Sequence, residues 1–175
     1  MSPKAEPKSI PSKIGEKTAG GKSTKAVAQK RMIKIAEIQL LCFTINDEEY
    51  GIDINKVEEI SRSVEVTKIA DAPAYVTGVI DFKGNPITVI DLRTRLGYTE
   101  QDDDKNTRII VLDFENKMWG LKVDNVTEIM RITESQVEKG QEKAKMRASR
   151  FLKGIIKKED GLVFIIDGQK LTKGM

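Results

Sequence analysis

An eleven-residue block occurs twice in the chain, and this repetition constrains the fold more than any other feature. Residues Tyr50–Ile60 (YGIDINKVEEI) align with Trp119–Ile129 (WGLKVDNVTEI), 69 residues later. A second match follows in the same order, Gly78–Asp91 against Gly154–Asp167, at a spacing of 76 residues. Composition alone is the alternative explanation, but the matched glycine and acidic positions favour duplication. A unit of this size has a limited core, so two copies are expected to pack together and to leave a groove along their seam.

Short apolar runs separated by polar turns dominate both copies, a pattern typical of β-strands. Many short strands favour a sandwich or a barrel over a βαβ sheet. Helical signals are confined to a turn at 92–96 and to a capping box at Thr133–Gln136. The predicted strands are Ile38–Ile45, a strand with alternating apolar residues at 50–54, Gly78–Phe82, Ile87–Leu92, Thr107–Phe114, Trp119–Val123, Gly154–Lys157 and Leu162–Ile166.

Positive charge is concentrated at the N-terminus. Residues 1–35 contain nine Lys or Arg and two acids, a net +7 out of +3 for the whole chain, which leaves −4 for the remainder. Little apolar surface is available in this segment to offset chain entropy, so residues 1–35 are predicted to form a disordered basic tail. The folded part is predicted to cover residues 36–175.

The composition argues against an enzyme or a cofactor protein. The 175 residues include no histidine and one cysteine, which excludes His-based catalysis and Cys or His metal clusters. No pair of carboxylates is spaced for acid–base chemistry, so we expect neither a catalytic site nor a cofactor. No apolar stretch approaches the ~20 residues of a membrane-spanning helix. A cytoplasmic protein without membrane insertion is therefore predicted.

Beyond these patterns, the sequence resembles the CheW family of bacterial chemotaxis coupling proteins from about residue 37 to residue 171. The residues that carry the resemblance are Asn46–Ile60, Thr67–Val79, Ile90–Arg93, Val111–Leu112, Gly120–Val126 and Phe151–Gly154. The family implies a mainly β fold with two five-stranded SH3-like β-barrel subdomains and few short helices. On this chain the subdomains are expected at 36–99 and 105–172.

The resemblance also implies a function and its partners. A CheW-like protein is a non-enzymatic scaffold that couples methyl-accepting chemoreceptors to the histidine kinase CheA. The expected partners are the cytoplasmic tip of a chemoreceptor and the regulatory domain of CheA. The protein would then lie in the cytoplasm, in association with membrane receptor arrays.

Seven residues form the predicted partner-binding set. Ile54 and Val57 lie at a strand end near the seam, where apolar side chains suit an amphipathic receptor helix. The complete set, which includes positions that the family associates with receptor or kinase contact, is Ile54, Val57, Glu59, Gly78, Lys83, Gly84 and Val126. Core packing for Val57 and turn geometry for the glycines are the alternative explanations.

Two departures from the family pattern fall near this set. Lys83 stands where the family commonly has arginine, and lysine lacks the forked donor geometry of a guanidinium. Thr88 stands where a proline is usual. An alternative hypothesis is a small β-barrel that binds nucleic acid through its basic tail, with an affinity that would fall steeply with salt.

Overall fold

Ten β-strands make up most of the folded part. A computed structural model describes residues 36–144 and 146–173, without the side chain of Met146, so the predicted disorder of residues 1–35 lies outside the described residues. The strands are β1 (Glu37–Ile45), β2 (Glu48–Asp53), β3 (Val57–Arg62), β4 (Val76–Phe82), β5 (Asn85–Asp91), β6 (Arg108–Phe114), β7 (Lys117–Val123), β8 (Asn125–Thr133), β9 (Leu152–Lys158) and β10 (Gly161–Ile166). The helices are α1 (Leu92–Arg95), α2 (Met146–Ser149) and α3 (Gly168–Thr172), and 3-10 turns lie at Ile54–Lys56, Glu134–Gln136 and Gln141–Lys143.

The strands form two five-stranded sheets, and each sheet contains strands from both repeats. The order is β8-β1-β2-β10-β9 in sheet A and β3-β6-β7-β5-β4 in sheet B. The first two strands of each repeat are therefore inserted between the third strand and the last two strands of the other. This reciprocal arrangement confirms a mainly β fold with two five-stranded units.

The membership of the sheets corrects the assumption that each barrel is one contiguous segment. Strands β1 and β2 fall in the predicted subdomain 36–99 but belong to sheet A, whereas β6 and β7 fall in 105–172 but belong to sheet B. The physical reason is pairing: β3 is hydrogen-bonded to β6, and β8 to β1, so each repeat completes the sheet of its partner.

Equivalent residues of the two repeats occupy equivalent positions in the sheets. Gly51 pairs with Ile165 in the parallel ladder between β2 and β10, and Gly120 pairs with Val89 in the ladder between β7 and β5. The repeat offsets convert one pair into the other. The register shifts also correspond, because the ladders skip Glu58 in β3 and its equivalent Thr127 in β8. The duplication predicted from sequence is therefore present residue by residue.

The two sheets share one main hydrophobic core and each has a smaller core of its own. The main core contains apolar residues of both repeats, including the buried side chains of Tyr50, Trp119 and Phe164. The short helices α1 and α3 are also equivalent, since Asp91 accepts a hydrogen bond from the N–H of Arg93, and Asp167 accepts one from the N–H of Gln169. These caps satisfy N–H groups that a helix start leaves unpaired.

Each sheet is curled, and one isolated bridge connects the chain near its opposite edges. The bridge joins Thr67 to Val79 in sheet B and Glu138 to Ile155 in sheet A. Gly78 makes the first bridge possible, because it adopts a φ of +151° and a Cβ there would overlap the carbonyl oxygen of Thr67. The bridge itself has N···O distances of 2.9 and 2.8 Å.

Eight of the ten strands coincide with predicted strands, with ends that differ by a few residues. The turn at Leu92–Arg95 and the capping box before Glu134–Gln136 are also confirmed. The two strands that the sequence did not predict are β3 and β8, the exchanged edge strands.

Candidate interaction surface

Three of the seven predicted residues lie together against the main core. Ile54 begins the 3-10 turn after β2, and this turn is capped by Asp53, which accepts a hydrogen bond from the N–H of Asn55 at 2.9 Å. Val57 begins β3, and its repeat equivalent Val126 lies near the start of β8. All three apolar side chains are partly buried and pack on the main core from its surface.

Glu59 is exposed in β3, and no lysine or arginine within 36–144 and 146–173 forms an ion pair with it. Its backbone pairs with Val111 directly after the β-bulge that follows Val57. A bulge re-aims neighbouring side chains and increases local twist. The strand therefore presents an unneutralised carboxylate beside a half-buried valine.

The equivalent acid in β8 has a different environment. Glu128 lies 3.4 Å from Lys158, whose ammonium group also contacts Glu49 at 2.8 Å. The hydrogen bond with Glu49 is the main cause that raises the pKa of Lys158 to about 12, with a smaller contribution from Glu128. Lys158 belongs to β9, the other edge of sheet A, so the curl of the sheet brings the two edges within side-chain reach.

Apolar residues replace this ion cluster in sheet B. The repeat equivalents of Lys158 and Glu49 are Phe82 and Met118, and both pack against the smaller core of sheet B. Glu59 is therefore surrounded by positions that supply no cation. By the same correspondence, the end of β4 that carries Phe82 lies on the side of the sheet where β3 presents Glu59.

Lys83 and Gly84 form the two-residue turn between β4 and β5. Both have positive φ, +51° and +85°, as the two central residues of a type I′ hairpin turn require. Lys83 is exposed, with its ammonium 5.1 Å from the centroid of the Phe82 ring, and the open space around Gly84 contains no atom within 4 Å of a Cβ built there. In contrast, Gly78 is buried beneath the Thr67 bridge.

The sequence prediction did not include two exposed isoleucines on the exchanged strands. The exposed fraction is 40% for Ile60 in β3 and 55% for Ile129 in β8. They are repeat equivalents, and the signal that could have found them is their shared place at the end of the first duplicated block. Exposed aliphatic side chains on two edge strands are a feature of contact surfaces.

A polar cleft joins the two repeats on another side of the molecule. Arg93 from α1 makes a forked pair with Asp124, at 2.8 Å from Nε to Oδ1 and 2.6 Å from Nη2 to Oδ2. Burial raises the pKa of the neighbouring Asp91 carboxyl. Because Asp91 caps α1 and Arg93 is engaged by Asp124, both groups have a structural explanation.

Searches for metal clusters and for membrane-spanning helices gave no candidate in the described part of the chain. No group of three or more His, Cys, Asp or Glu among these residues is arranged to hold a metal ion. None of their helices has the length and apolar character required to cross a membrane.

Comparisons with known proteins agree with the fold. The family model described as the CheW-like domain matches residues 39–174. The chain is 35% identical to chemotaxis protein CheW of Klebsiella aerogenes over 76% of this chain and 80% of that protein, and 31% identical to chemotaxis protein CheW of Helicobacter pylori over 78% and 82%. The crystal structure of the scaffolding protein TtCheW from Thermoanaerobacter tengcongensis matches with a TM-score of 0.68 and 33% identity, over 74% of this chain and 88% of that one. With two exchanged five-stranded sheets and these relatives, the chain belongs to the CheW-like family.

Proposed function

We propose that the protein is a non-enzymatic scaffold that couples chemoreceptors to the histidine kinase CheA, in the cytoplasm at membrane receptor arrays. The observation that carries the proposal is the state of β3. This edge strand presents an unneutralised Glu59 and a 40% exposed Ile60 in a chain of the CheW-like family. A free carboxylate next to an exposed aliphatic side chain suits a protein partner that supplies a cation and an apolar patch.

The receptor is assigned to the apolar side of the surface. Ile54, Val57 and Val126 come from both repeats and are only partly covered by the main core. An amphipathic helix from a receptor tip would place its apolar face against such a strip, with anchors at helical spacing. This part of the surface carries few charges and therefore depends on burial of apolar area.

The regulatory domain of CheA is assigned to the charged side. Glu59 and Ile60 on β3 would form one part of this contact, and the turn with Lys83 and Gly84 the other. Lysine offers a single ammonium in place of a planar fork, so the kinase contact at Lys83 is expected to be less directional than one made by arginine.

Separate binding measurements test the two assignments. The full chain is sedimented with vesicles that contain a chemoreceptor, and in parallel titrated against purified CheA. Val57→Lys is expected to weaken receptor binding at least tenfold, because a charge is placed in an apolar contact. Glu59→Lys is expected to weaken kinase binding at least tenfold, because the sign of a central charge is reversed.

The matched control is Asp160→Lys, which alters the equivalent turn of the second repeat, since Asp160 corresponds to Gly84. This control should bind both partners as the unchanged chain does, and circular dichroism should give all three variants the same spectrum. Unchanged binding of folded Val57→Lys and Glu59→Lys would refute the site assignment. Absence of binding by the unchanged chain to both partners would refute the scaffold function.

A further inference from the structure

An open apolar cleft lies beside Trp119, outside the seven residues discussed above. The cleft has a volume of about 330 Å³ and lies between β5, β7 and the loop that precedes β4. Trp119 and Thr88 line one side, and Ile69, Pro73 and Tyr75 line the other. Ile69 is 43% exposed at the rim, although most aliphatic side chains of the sheets are buried.

Comparison of the repeats explains why this space is open. Thr88 in β5 is the cross-strand neighbour of Trp119 in β7. The equivalent pair in sheet A is Phe164 and Tyr50, whose ring centroids lie 5.5 Å apart in the main core. The benzyl side chain that fills sheet A is replaced in sheet B by a small hydroxyl-bearing one, so Trp119 lacks the neighbour that Tyr50 has.

Positive charge surrounds the cleft. Lys117 lines it, with its ammonium 4.4 Å from the Trp119 ring centroid, and Arg95 lies 4.1 Å from the ring centroid of Tyr75. An adjoining cleft shares Lys117 and Trp119 and adds Lys173 and one acid, Glu115. Within the described ranges, neither Lys117, Arg95 nor Lys173 forms an ion pair with a carboxylate.

This local excess of positive charge occurs on a body whose net charge is negative. Residues 36–175 carry −4 once the N-terminal +7 is subtracted from the chain's +3. The unneutralised cations are therefore a property of this surface and not of the overall composition. An anionic partner would remove the repulsion among them.

We propose that the Trp119 cleft is a further docking site, which receives an acidic peptide segment of a partner protein through one aromatic side chain. The aromatic ring takes the place that Phe164 occupies in sheet A and stacks on Trp119. Acidic residues on either side of it pair with Lys117 and Arg95. Neither the receptor contact nor the kinase contact proposed above is needed for this site.

The internal repeat supplies the test variants. Thr88→Phe introduces the residue that the second repeat has at this position and should close the cleft. Lys117→Glu introduces the residue that the first repeat has at the equivalent position, Glu48, and should repel an acidic segment. Lys153→Glu, on an exposed position of β9, makes the same charge change away from the cleft and is the control.

The probe is a random twelve-residue peptide library displayed on phage, selected on the full chain. Enriched peptides are synthesised and titrated by the fluorescence of Trp119, the sole tryptophan. We expect peptides with an aromatic residue flanked by Asp or Glu, whose binding falls at least tenfold for Thr88→Phe and for Lys117→Glu but not for Lys153→Glu.

Enrichment of basic peptides, or of peptides that bind Thr88→Phe and Lys117→Glu as well as the unchanged chain, would overturn the proposal. So would a selection in which no peptide depends on the cleft. If Thr88→Phe does not fold, as judged by circular dichroism, the surface variant Lys117→Glu decides the outcome. Because receptor and kinase are absent from this experiment, its result is independent of the scaffold function.

Discussion

The exchanged strands β3 and β8 have the same place in the fold but different surroundings. Val57, Glu59 and Ile60 of β3 correspond to Val126, Glu128 and Ile129 of β8. Both strands pair on one side with the first strand of the other repeat. Glu128 contacts Lys158, whereas Glu59 has no cationic partner within the described ranges. The backbone frame was kept after duplication while the side chains around the equivalent acids diverged.

This difference indicates which strand is free to make charged contacts with another protein. In sheet A, Lys158 neutralises two carboxylates within the molecule, so the charge of Glu128 is already compensated. In sheet B, Phe82 occupies the position of that lysine and packs against an apolar core. The free energy of an ion pair with Glu59 therefore remains available to a partner.

The largest expected effect concerns the equivalent glycines of the two repeats. Gly78→Ala should lower the free energy of unfolding by about 3 kcal/mol or more, because it combines a positive φ with overlap against a backbone carbonyl. Gly154→Ala should cost less, about 1 to 2 kcal/mol, because its closest contact, at 2.6 Å, is the methyl group of Val137, a side chain that can move. Urea unfolding followed by circular dichroism measures both. Equal losses would show that the two bridges are equally tight.

A smaller effect should follow from making β3 resemble β8. Phe82→Lys places a cation where sheet A has Lys158, and this cation is expected to pair with Glu59. Binding to CheA should then weaken about tenfold, or ~1.4 kcal/mol, because the carboxylate is neutralised before the partner arrives. Calorimetric titration measures the affinity, and Phe82→Met controls for loss of the aromatic ring. Equal affinities of the two variants would contradict the role given to the free charge of Glu59.

The smallest effect at neutral pH is expected at Cys42, whose repeat equivalent is Val111. Both side chains are fully or almost fully buried in the smaller cores, so Cys42→Val should change the free energy of unfolding at pH 7 by less than about 1 kcal/mol. Burial raises the pKa of the Cys42 thiol from 9.0 to about 12. Above pH 9 the unfolded thiol loses its proton while the folded one keeps it, so unfolding becomes more favourable.

The unchanged chain should therefore lose stability relative to Cys42→Val as the pH rises. By pH 10 the loss should reach about 1 kcal/mol, since each unit between the two pKa values contributes up to ~1.4 kcal/mol. Urea unfolding at pH 7, 9 and 10 measures the difference between the two proteins. A difference that does not change with pH would mean that the thiol titrates equally in the folded and unfolded states.

Sequence patterns predicted the local parts of the candidate site and missed the parts that depend on distant neighbours. The turn at Lys83 and Gly84 follows from short-range turn chemistry, and the apolar character of Ile54, Val57 and Val126 was visible in the duplicated block. The exposure of Ile60 was not visible, because an isoleucine in an apolar pattern is usually assigned to the core. The isolation of Glu59 depends on Phe82, which lies 23 residues away in the chain.

By itself, the sequence determined the duplication, eight of the ten strands, the hairpin turns and the helix caps, because these follow from apolar alternation and short-range hydrogen bonding. Only the tertiary structure decided that the repeats exchange strands. The edge strands β3 and β8 have largely exposed side chains and little alternation, so their strand conformation is stabilised mainly by backbone pairing with the other repeat. Such pairing depends on which chain segments meet in the folded molecule, and that information is absent from the residues of either strand alone.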